Sequence, residues 1–577
     1  MSLFSVMNVA NRALHASQIG MDVTAQNMSN ADVAGYSRKR VNLSAAYQRH
    51  TTFGQFGFGV DVLSVSRIRN AHIDAQIRRQ SHELGMHREI DHVLESMENI
   101  LREPSDTGIL EYMNRFFNSW ESLKNNPADP AARNVLRTNA NMLCNIFHNV
   151  SAELDNLKAT RNMEIVSVVN KINNIATEIF SLNGEISLVT LQGQHPNDSL
   201  DRRDQLMREL SELSDFEVQF AHDQQVTITI NGNILVSPMS INRLEIFEDA
   251  TTRTDPTANY NQFGVRMERG KNLINPHGGQ LKGLMIARDE TIPALQAQLD
   301  ELARGLVQAV NAQHRLGFNL NGFSGFDFFD PTGMTAKTIN LSASIQTNVS
   351  NIAAAGGTGS PIRATQNRIF SIDAFNPPTP IQLTRDGAPL VANENEAKQI
   401  FAGSVSVNAV SSGGGRTPLV ENVHFRIDYS TGTITMIDDP ANPNPYNDNI
   451  STFEIDFSYT SEGGFPGVGN NENAIAISEL RRALTMNPSH TTGRPTATFD
   501  QFYGATIAEL GLNRKEAMAN INTREFLIGQ FDAHQDSIAG VSLDEEMANL
   551  IKYQYTYQAA ARIFSTAQSM LDILMSI

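Results

Sequence analysis

The sequence predicts a multidomain α+β chain. Its terminal helices pair as an axial coiled coil, a long α-helical rod domain follows, and antiparallel β domains are inserted into that rod. Three observations lead there. Narrow apolar heptad stripes occupy both ends, a helical pattern runs from about 131 to 190 with no Gly or Pro before Gly184, and the chain turns rich in Gly, Asn, Pro, Thr and Ser between Gly317 and about Asn470. With 577 residues there is room for three or four domains.

The bulk composition narrows the function classes. A hydrophobic content of 41% and a charged content of 19% suit folded cores. A net charge of -17 and a pI near 5.3 argue against nucleic acid as a partner, because phosphate neutralisation needs a concentrated Lys/Arg face. Cys144 is the single cysteine, so no intramolecular disulfide or multi-cysteine metal site is available, and its place between Leu143 and Ile146 is that of a packed thiol. No run of about 18 apolar residues predicts a membrane span. The N-terminus lacks the parts of a cleavable secretory signal, so the residues alone point to a cytoplasmic protein.

At the N-terminus, Leu3, Met7, Ala10, Leu14, Ser17, Met21, Thr24 and Met28 follow an alternating four-three spacing, the mark of a narrow helical seam. Asn, Asp and Gly then break the pattern over residues 27 to 41. Gly35 is expected to supply a backbone conformation other residues avoid, and Val41, Leu43 and Ala45 begin a strand period of two. Met86, Ile90, Val93, Met97 and Ile100 form a short helix. From Leu136 the rod seam runs through Ala140, Leu143, Phe147, Val150, Leu154 and Leu157, and after a stutter near Arg161 it resumes from Ile165 to Val189. At about 1.5 Å per residue the rod would reach roughly 90 Å. Phe116, Phe117 and Trp120, three and four apart, belong to a core face.

Short strands are expected at 226–230, 234–236 and 244–247 around an Asn231-Gly232 turn, then a helix from about 291 to 315. Further strands are expected at 402–408, 423–428, 433–437 and 453–459. Helix returns at 470–484, and Ile507, Leu510, Ile521, Ile528, Phe531 and Ile538 mark helices beyond it. The last stretch carries a capping box at Ser542 and Glu545 and a seam of Leu543, Met547, Leu550, Gln554, Tyr557, Ala561, Phe564, Gln568, Leu571 and Met575. Its length would be roughly 50 Å. Further apolar side chains, among them Phe4, Ile19, Ile551, Ile563 and Ile573, back the two terminal seams. Tyr553, Tyr555 and Tyr557 cannot share one helix face either, so contacts with other copies are expected.

No reactive constellation emerges, and no catalytic, cofactor-binding or metal-ligating residue is expected. His82, His87 and His92 lie five apart, which turns each about 140° from the last and denies them a shared face. The glycine clusters at Gly54, Gly57 and Gly59, at Gly356, Gly357 and Gly359, and at Gly413 to Gly415 lack a following Gly-Lys-Ser/Thr, so they read as loops. The pair Asp438-Asp439 reads as loop surface.

Asn27, Asn30, Gly35 and Tyr36 fit the frame Asn-x-x-Asn-x-x-Thr-Pro-Gly-Tyr, except that Val33 and Ala34 stand where Thr-Pro is usual. In this the chain resembles the flagellar axial proteins of bacteria. The continuation Ser37-Arg38 and Val41, the segments FFNSWESLKNNPADPAARNVL (116–136) and NDSLDRRDQLMRELSEL (197–213), and the last helix resemble the hook-associated members of that family. The middle of the chain resembles nothing nameable.

That resemblance implies a flagellin-like fold. Residues 1–60 would be the axial helix and turn, 61–215 the helical rod, 216–280 a small β excursion and 281–316 a helical return. Residues 317–470 would form one or two outer β domains, 471–540 the rest of the rod, and 541–577 the second axial helix. It also implies a mechanical, non-enzymatic role at the hook-filament junction, outside the cell, after type III export without a cleaved signal. The implied partners are copies of itself, the hook protein, a second hook-associated junction protein and an export chaperone at the C-terminal region. Terminal segments mobile in the free monomer are implied too. The assembly interface expected is Leu3, Met7, Leu14, Met21, Met28, Leu543, Met547, Leu550, Tyr557, Phe564 and Leu571, with Asn27, Asn30, Gly35 and Tyr36 as the turn that sets the angle between axial helix and rod. Two other readings stay open: another junction or filament subunit, and a junction protein whose 317–470 region binds a surface ligand such as a glycan.

Overall fold

The computed structural model describes residues 3–33, 35–46, 48–51, 54–221, 223–248, 262–322, 324–356, 467–488 and 495–576, with separate strand segments of the region between 362 and 459. The chain is mostly helical, with small antiparallel sheets. Its helices are α1 (Leu3–Ser29), α2 (Ala71–Leu101), α3 (Ile109–Leu123), α4 (Pro130–Leu191), α5 (Asn197–Leu213), α6 (Gly279–Ile286), α7 (Ile292–His314), α8 (Ala343–Thr347), α9 (Glu472–Glu479), α10 (Phe499–Ala539) and α11 (Leu543–Ser576). Two compact units divide the chain: Met1–Leu94, Lys158–Thr291 and Asn513–Ile577 form one, and Glu95–Leu157 with Ile292–Leu512 form the other.

In the first unit, the apolar face of α4 supplies the core. Ile165, Val168, Ile172 and Ile179 are buried together with Leu206 and Leu210 of α5 and with Val226, Ile228 and Ile230 of a strand whose alternate residues point inward. That strand pairs with Glu217–Phe220 and Asn233–Val236, the latter through the expected Asn231-Gly232 turn, where both residues have positive φ. The strands Glu217–Phe220 and Phe263–Met267, the latter pairing with Leu244–Glu248, were not legible as separate elements. The expected stutter leaves α4 unbroken and turns polar residues inward. Arg161 pairs with Glu164 at 2.8 Å, while the Asn162 Oδ1 accepts from the Phe263 N–H at 3.0 Å and from Arg288 at 2.8 Å.

Helix α2 begins at Ala71, well before the expected Met86, because Ile73, Ile77 and Leu84 already point inward. Glycines let α2 approach its neighbours: a Cβ on Gly85 would lie 2.1 Å from the Glu212 carbonyl oxygen, and one on Gly283 2.7 Å from that of Met86. The three histidines of α2 go separate ways. The His82 ring lies tilted against that of Phe216 with centroids 5.5 Å apart, and burial, aided by Arg78 and Arg79, pushes it down to about 4. The His92 Nδ1 lies 3.1 Å from Arg161, and His87 lies 3.9 Å from Glu83.

The core of the second unit is aromatic. Phe116, Phe117 and Trp120 of α3 meet Phe328, Phe329, Phe499 and His314 with ring centroids 5.3 to 6.2 Å apart. His314 is enclosed. Its Nδ1 lies 2.6 Å from the Phe326 carbonyl and its Nε2 2.9 Å from the Ala353 N–H, so the neutral ring donates through one nitrogen and accepts through the other. Burial pushes it down to about 4. Arg133 is buried as well, donating to the carbonyls of Pro127 at 2.8 Å and Ile352 at 2.6 Å. Cys144 is packed, its thiol pushed up to about 12 by burial.

Within the same unit, Ile450–Tyr459 lies between Ile362–Ile369 and Ser406–Ser411, with Arg416–Leu419 outermost. Phe425–Asp428 pairs antiparallel with Thr433–Met436, within the strands expected at 423–428 and 433–437. Gly357, Gly359, Gly413 to Gly415 and Asp438-Asp439 fall outside the described residues.

Candidate assembly interface

Helix α1 ends at Ser29, and the Asn30 side chain donates back to the Gln26 carbonyl at 3.0 Å. A tight turn follows, with the Val33 N–H on the Asn30 carbonyl and the Tyr36 N–H on the Val33 carbonyl. Gly35 has φ +82, a conformation that favours glycine. Ala34 lies outside the described residues. The strand Lys39–Ala45 then leaves the turn and pairs with Val60–Arg67.

Asn27 holds that departure in place. Its Nδ2 donates to the Lys39 carbonyl at 2.9 Å, and its Oδ1 accepts from the Lys39 N–H at 2.9 Å and the Tyr36 hydroxyl at 2.8 Å. The amide thus offers Lys39 the donor and acceptor a neighbouring strand would offer. Nδ2 also reaches Glu546 of α11 at 3.2 Å. Burial first, then Asp198, Asp201 and Glu546, push the Tyr36 hydroxyl up to about 12, which keeps its proton on and its donor role intact.

Charged side chains extend this knot in two directions. Arg38 binds Glu546 at 2.7 Å and Glu545 at 2.9 Å at the start of α11. Toward α5, Asp201 accepts from the Ser37 N–H at 3.1 Å and from Arg67 at 2.8 Å, Arg67 also pairs with Asp204 at 2.7 Å, and Lys39 reaches Asp198 at 2.6 Å. Burial works against the charge of Asp204, but Arg67, Arg69 and Arg203 outweigh it and hold the carboxyl below its usual range. These partners were not among the residues expected from sequence. Asp198, Asp201 and Asp204 recur every three residues along one face of α5, and that was the signal available.

Helices α1 and α11 pack along each other. Gly20 meets Tyr553 and Asn27 meets Glu546, seven residues apart on each helix in opposite senses, so the two run antiparallel. The buried side of α1 is small: Ala10, Ala16, Ser17, Gly20, Val23, Thr24 and Asn27. On α11 the buried positions are Glu546, Ala560 and Ala567, seven apart from Ala560 onward, with Tyr553 half-buried between. The larger residues expected at the seam flank it. Leu3, Met7, Leu14, Met21, Met28, Leu550, Phe564 and Leu571 are half-buried, and Leu543, Met547 and Tyr557 are exposed. Outside them lies an apolar surface that includes Phe4, Ile551, Tyr555, Ile563, Met570, Ile573, Leu574 and Met575, with Phe4 65% and Met575 81% exposed. Among the described residues no helix is long and apolar enough to cross a membrane, and no group of three or more His, Cys, Asp or Glu is placed to hold a metal ion.

Comparisons with known proteins bear on the same elements. The family model described as the flagellar hook-associated protein FlgK helical domain matches residues 94–329, and the one described as the flagellar basal body rod FlgEFG protein C-terminal matches residues 536–577. The flagellar hook-associated protein 1 of Escherichia coli (strain K12) is 28% identical over 581 residues, covering 99% of this chain and 100% of that relative. That of Salmonella typhimurium is 27% identical over 593 residues, with the same coverage, and that of Bacillus subtilis 25% identical over 607 residues, covering 99% and 97%. The solved flagellar hook junction protein FlgK from Burkholderia pseudomallei shares the fold at a TM-score of 0.54 and 18% identity, over 80% of this chain and 100% of that one. With relatives of one name aligned along nearly its whole length and a family model on its helical part, the chain is similar from end to end to the flagellar hook-associated proteins of the FlgK family.

Proposed function

We propose that this chain is a structural, non-enzymatic subunit connecting hook to filament in the bacterial flagellum, and that it assembles through the outer faces of α1 and α11. The observation that carries this reading is the apolar surface of those helices. Ile551, Tyr555, Ile563, Met570 and Ile573 stand in solvent along one helix, an exposed apolar run of the kind that marks an interaction surface. Copies of the chain would cover it, with the hook protein and a second hook-associated protein as neighbours along the axis and an export chaperone shielding the C-terminal region beforehand. On this reading the α1–α11 pair is the axial coiled coil, α2 to α5, α7 and α10 form the rod, and the strands between 362 and 459 form the outer β region. The position of the protein is then extracellular, reached without a cleaved signal peptide.

The test uses Ile551→Asp and Ile563→Asp, exposed positions whose substitution leaves the buried contacts of α1 with α11 untouched. Both variants are expected to retain wild-type circular dichroism and thermal midpoint while failing to restore filaments in cells lacking the native protein. Filaments of normal length and number with both variants would defeat the proposal.

A further inference from the structure

We propose that a cavity between α2, α5 and the strand end at Ser66 and Arg67 is a binding site for an oxyanion, a carboxylate or a phosphate. The cavity has a volume of about 310 Å³, at the lower end of the size range of small-ligand sites. Arg67, Arg69 and Arg78 line it together with Asp74 and Asp204. Each of those carboxylates is already engaged: Asp204 takes Arg67 at 2.7 Å, and Asp74 takes Arg69 through two bonds of 2.8 and 3.0 Å.

Arg78 is left over. Among the described residues its guanidinium has no hydrogen bond and no ion pair, although it sits largely inside the fold; burial pulls it below its ordinary value, against the pull of Asp74 and Asp204. Three guanidinium groups against two carboxylates leave one positive charge on the lining, in a chain whose net charge is -17. A guanidinium presents a planar fork of donors that matches a carboxylate or phosphate. The cavity also takes in Asn197 and Leu200 from the first turn of α5. The site does not depend on the assembly reading, since the anion can be a free oxyanion or an acidic side chain from a neighbouring copy.

Calorimetric titration of the full chain with inorganic phosphate and with acetate, at fixed ionic strength and pH 7, tests this. Saturable binding is expected, at least tenfold weaker in Arg78→Gln, partly kept in Arg78→Lys, and unchanged in Arg79→Gln, which removes the same charge from the exposed next position. Sedimentation of the wild-type chain with and without phosphate separates the two sources. Phosphate that weakens self-association identifies the neighbour's carboxylate, and binding without such an effect identifies a free anion. The absence of saturable heat with either probe, or equal losses in Arg78→Gln and Arg79→Gln, would overturn the proposal.

Discussion

Asn27 does for Lys39 what an adjacent strand would do, and the device recurs. Asn173 brackets the backbone of Leu244 at 2.9 and 2.8 Å, Asn183 that of Val226 at 2.8 and 3.0 Å, and Asn311 that of Phe329 at 2.9 and 2.8 Å. A side-chain amide carries the donor and acceptor of a peptide group, so a helix can close the open edge of a strand without a further strand. Asn27→Leu should therefore cost about 3 kcal/mol locally, because it strands buried polar groups of Lys39 and Tyr36. Hydrogen exchange at residues 37–45 should rise while exchange in residues 165–180 stays put; uniform exchange across both would contradict it. Two helix glycines separate packing from propensity. Alanine favours a helix over glycine by about 1 kcal/mol, and at Gly529 nothing lies within 4 Å of an added Cβ, so Gly529→Ala should stabilise by that amount. At Gly20 the same Cβ would meet the Tyr553 ring at 2.6 Å, so Gly20→Ala should destabilise by about 1 to 3 kcal/mol, with recovery in Gly20→Ala/Tyr553→Ala. Thermal midpoints read both signs. His314 adds a pH dependence. Its folded value near 4 lies below its ordinary 6.5, so the unfolded chain takes up a proton that the folded chain refuses. Its contribution is full above pH 6.5 and is lost as pH falls toward 4. Emission from Trp120, the only tryptophan, reports the surrounding core; the unfolding midpoint seen this way should fall across that window more steeply in the wild type than in His314→Gln.

The helices differ in what holds them. Residues 158–191 of α4 are fixed by fully buried apolar side chains, whereas residues 513–539 of α10 bury only Ala517 and Ala539. That half of α10 is tied instead by polar contacts: Arg514 to Asp91 at 3.4 Å, Arg524 to Gln80 at 2.8 Å, Glu525 to Arg88 at 2.7 Å and Asp532 to Arg208 at 2.6 Å. The exposed ion pairs among them, Glu525 with Arg88 and Asp532 with Arg208, contribute at most about 1 kcal/mol each and are screened by salt. Raising sodium chloride from about 0.1 M to about 1 M, where the screening length falls from about 10 to about 3 Å, should speed hydrogen exchange over 513–539 and leave 165–180 unchanged. The same contrast explains what the sequence revealed. The α4 seam was readable residue by residue, because Leu136, Ala140, Leu143, Phe147, Leu154, Ile165, Ile172 and Ile179 are all buried as their spacing requires. In α11, apolar residues surround the helix, so a heptad template fixes its direction and length but leaves the buried side undecided. On α1 the template took in Ala10, Ser17 and Thr24, which are buried, whereas on α11 it ran through Leu550, Tyr557 and Phe564 while Ala560 and Ala567 are the buried positions.

Over the whole chain, the turn at Asn27 to Tyr36 was legible because its glycine and asparagines act locally. Its partners were not. Glu546 lies 508 positions from Arg38, and Asp201 164 positions from Ser37, and no periodicity within one segment links residues so far apart. The same long separation bears on stability, since closing so large a loop has an entropic cost that the α1–α11 contact and the polar knot help to offset. The buried side chains of α11 are few and small, and its outer face is in solvent until something covers it. Local opening should therefore begin there rather than in α4. Limited proteolysis of the dilute chain, followed by mass spectrometry, should cut first within 543–576 and soon afterwards near the N-terminus, leaving a resistant piece that contains α4. Self-assembled material at equal protease should keep α11 intact, because covering the apolar face removes the open state from which cleavage proceeds. Cleavage of α4 as early as α11 in the dilute chain would refute the ordering, and an α11 cut equally fast in assembled and dilute material would show that its outer face is not the surface that copies share.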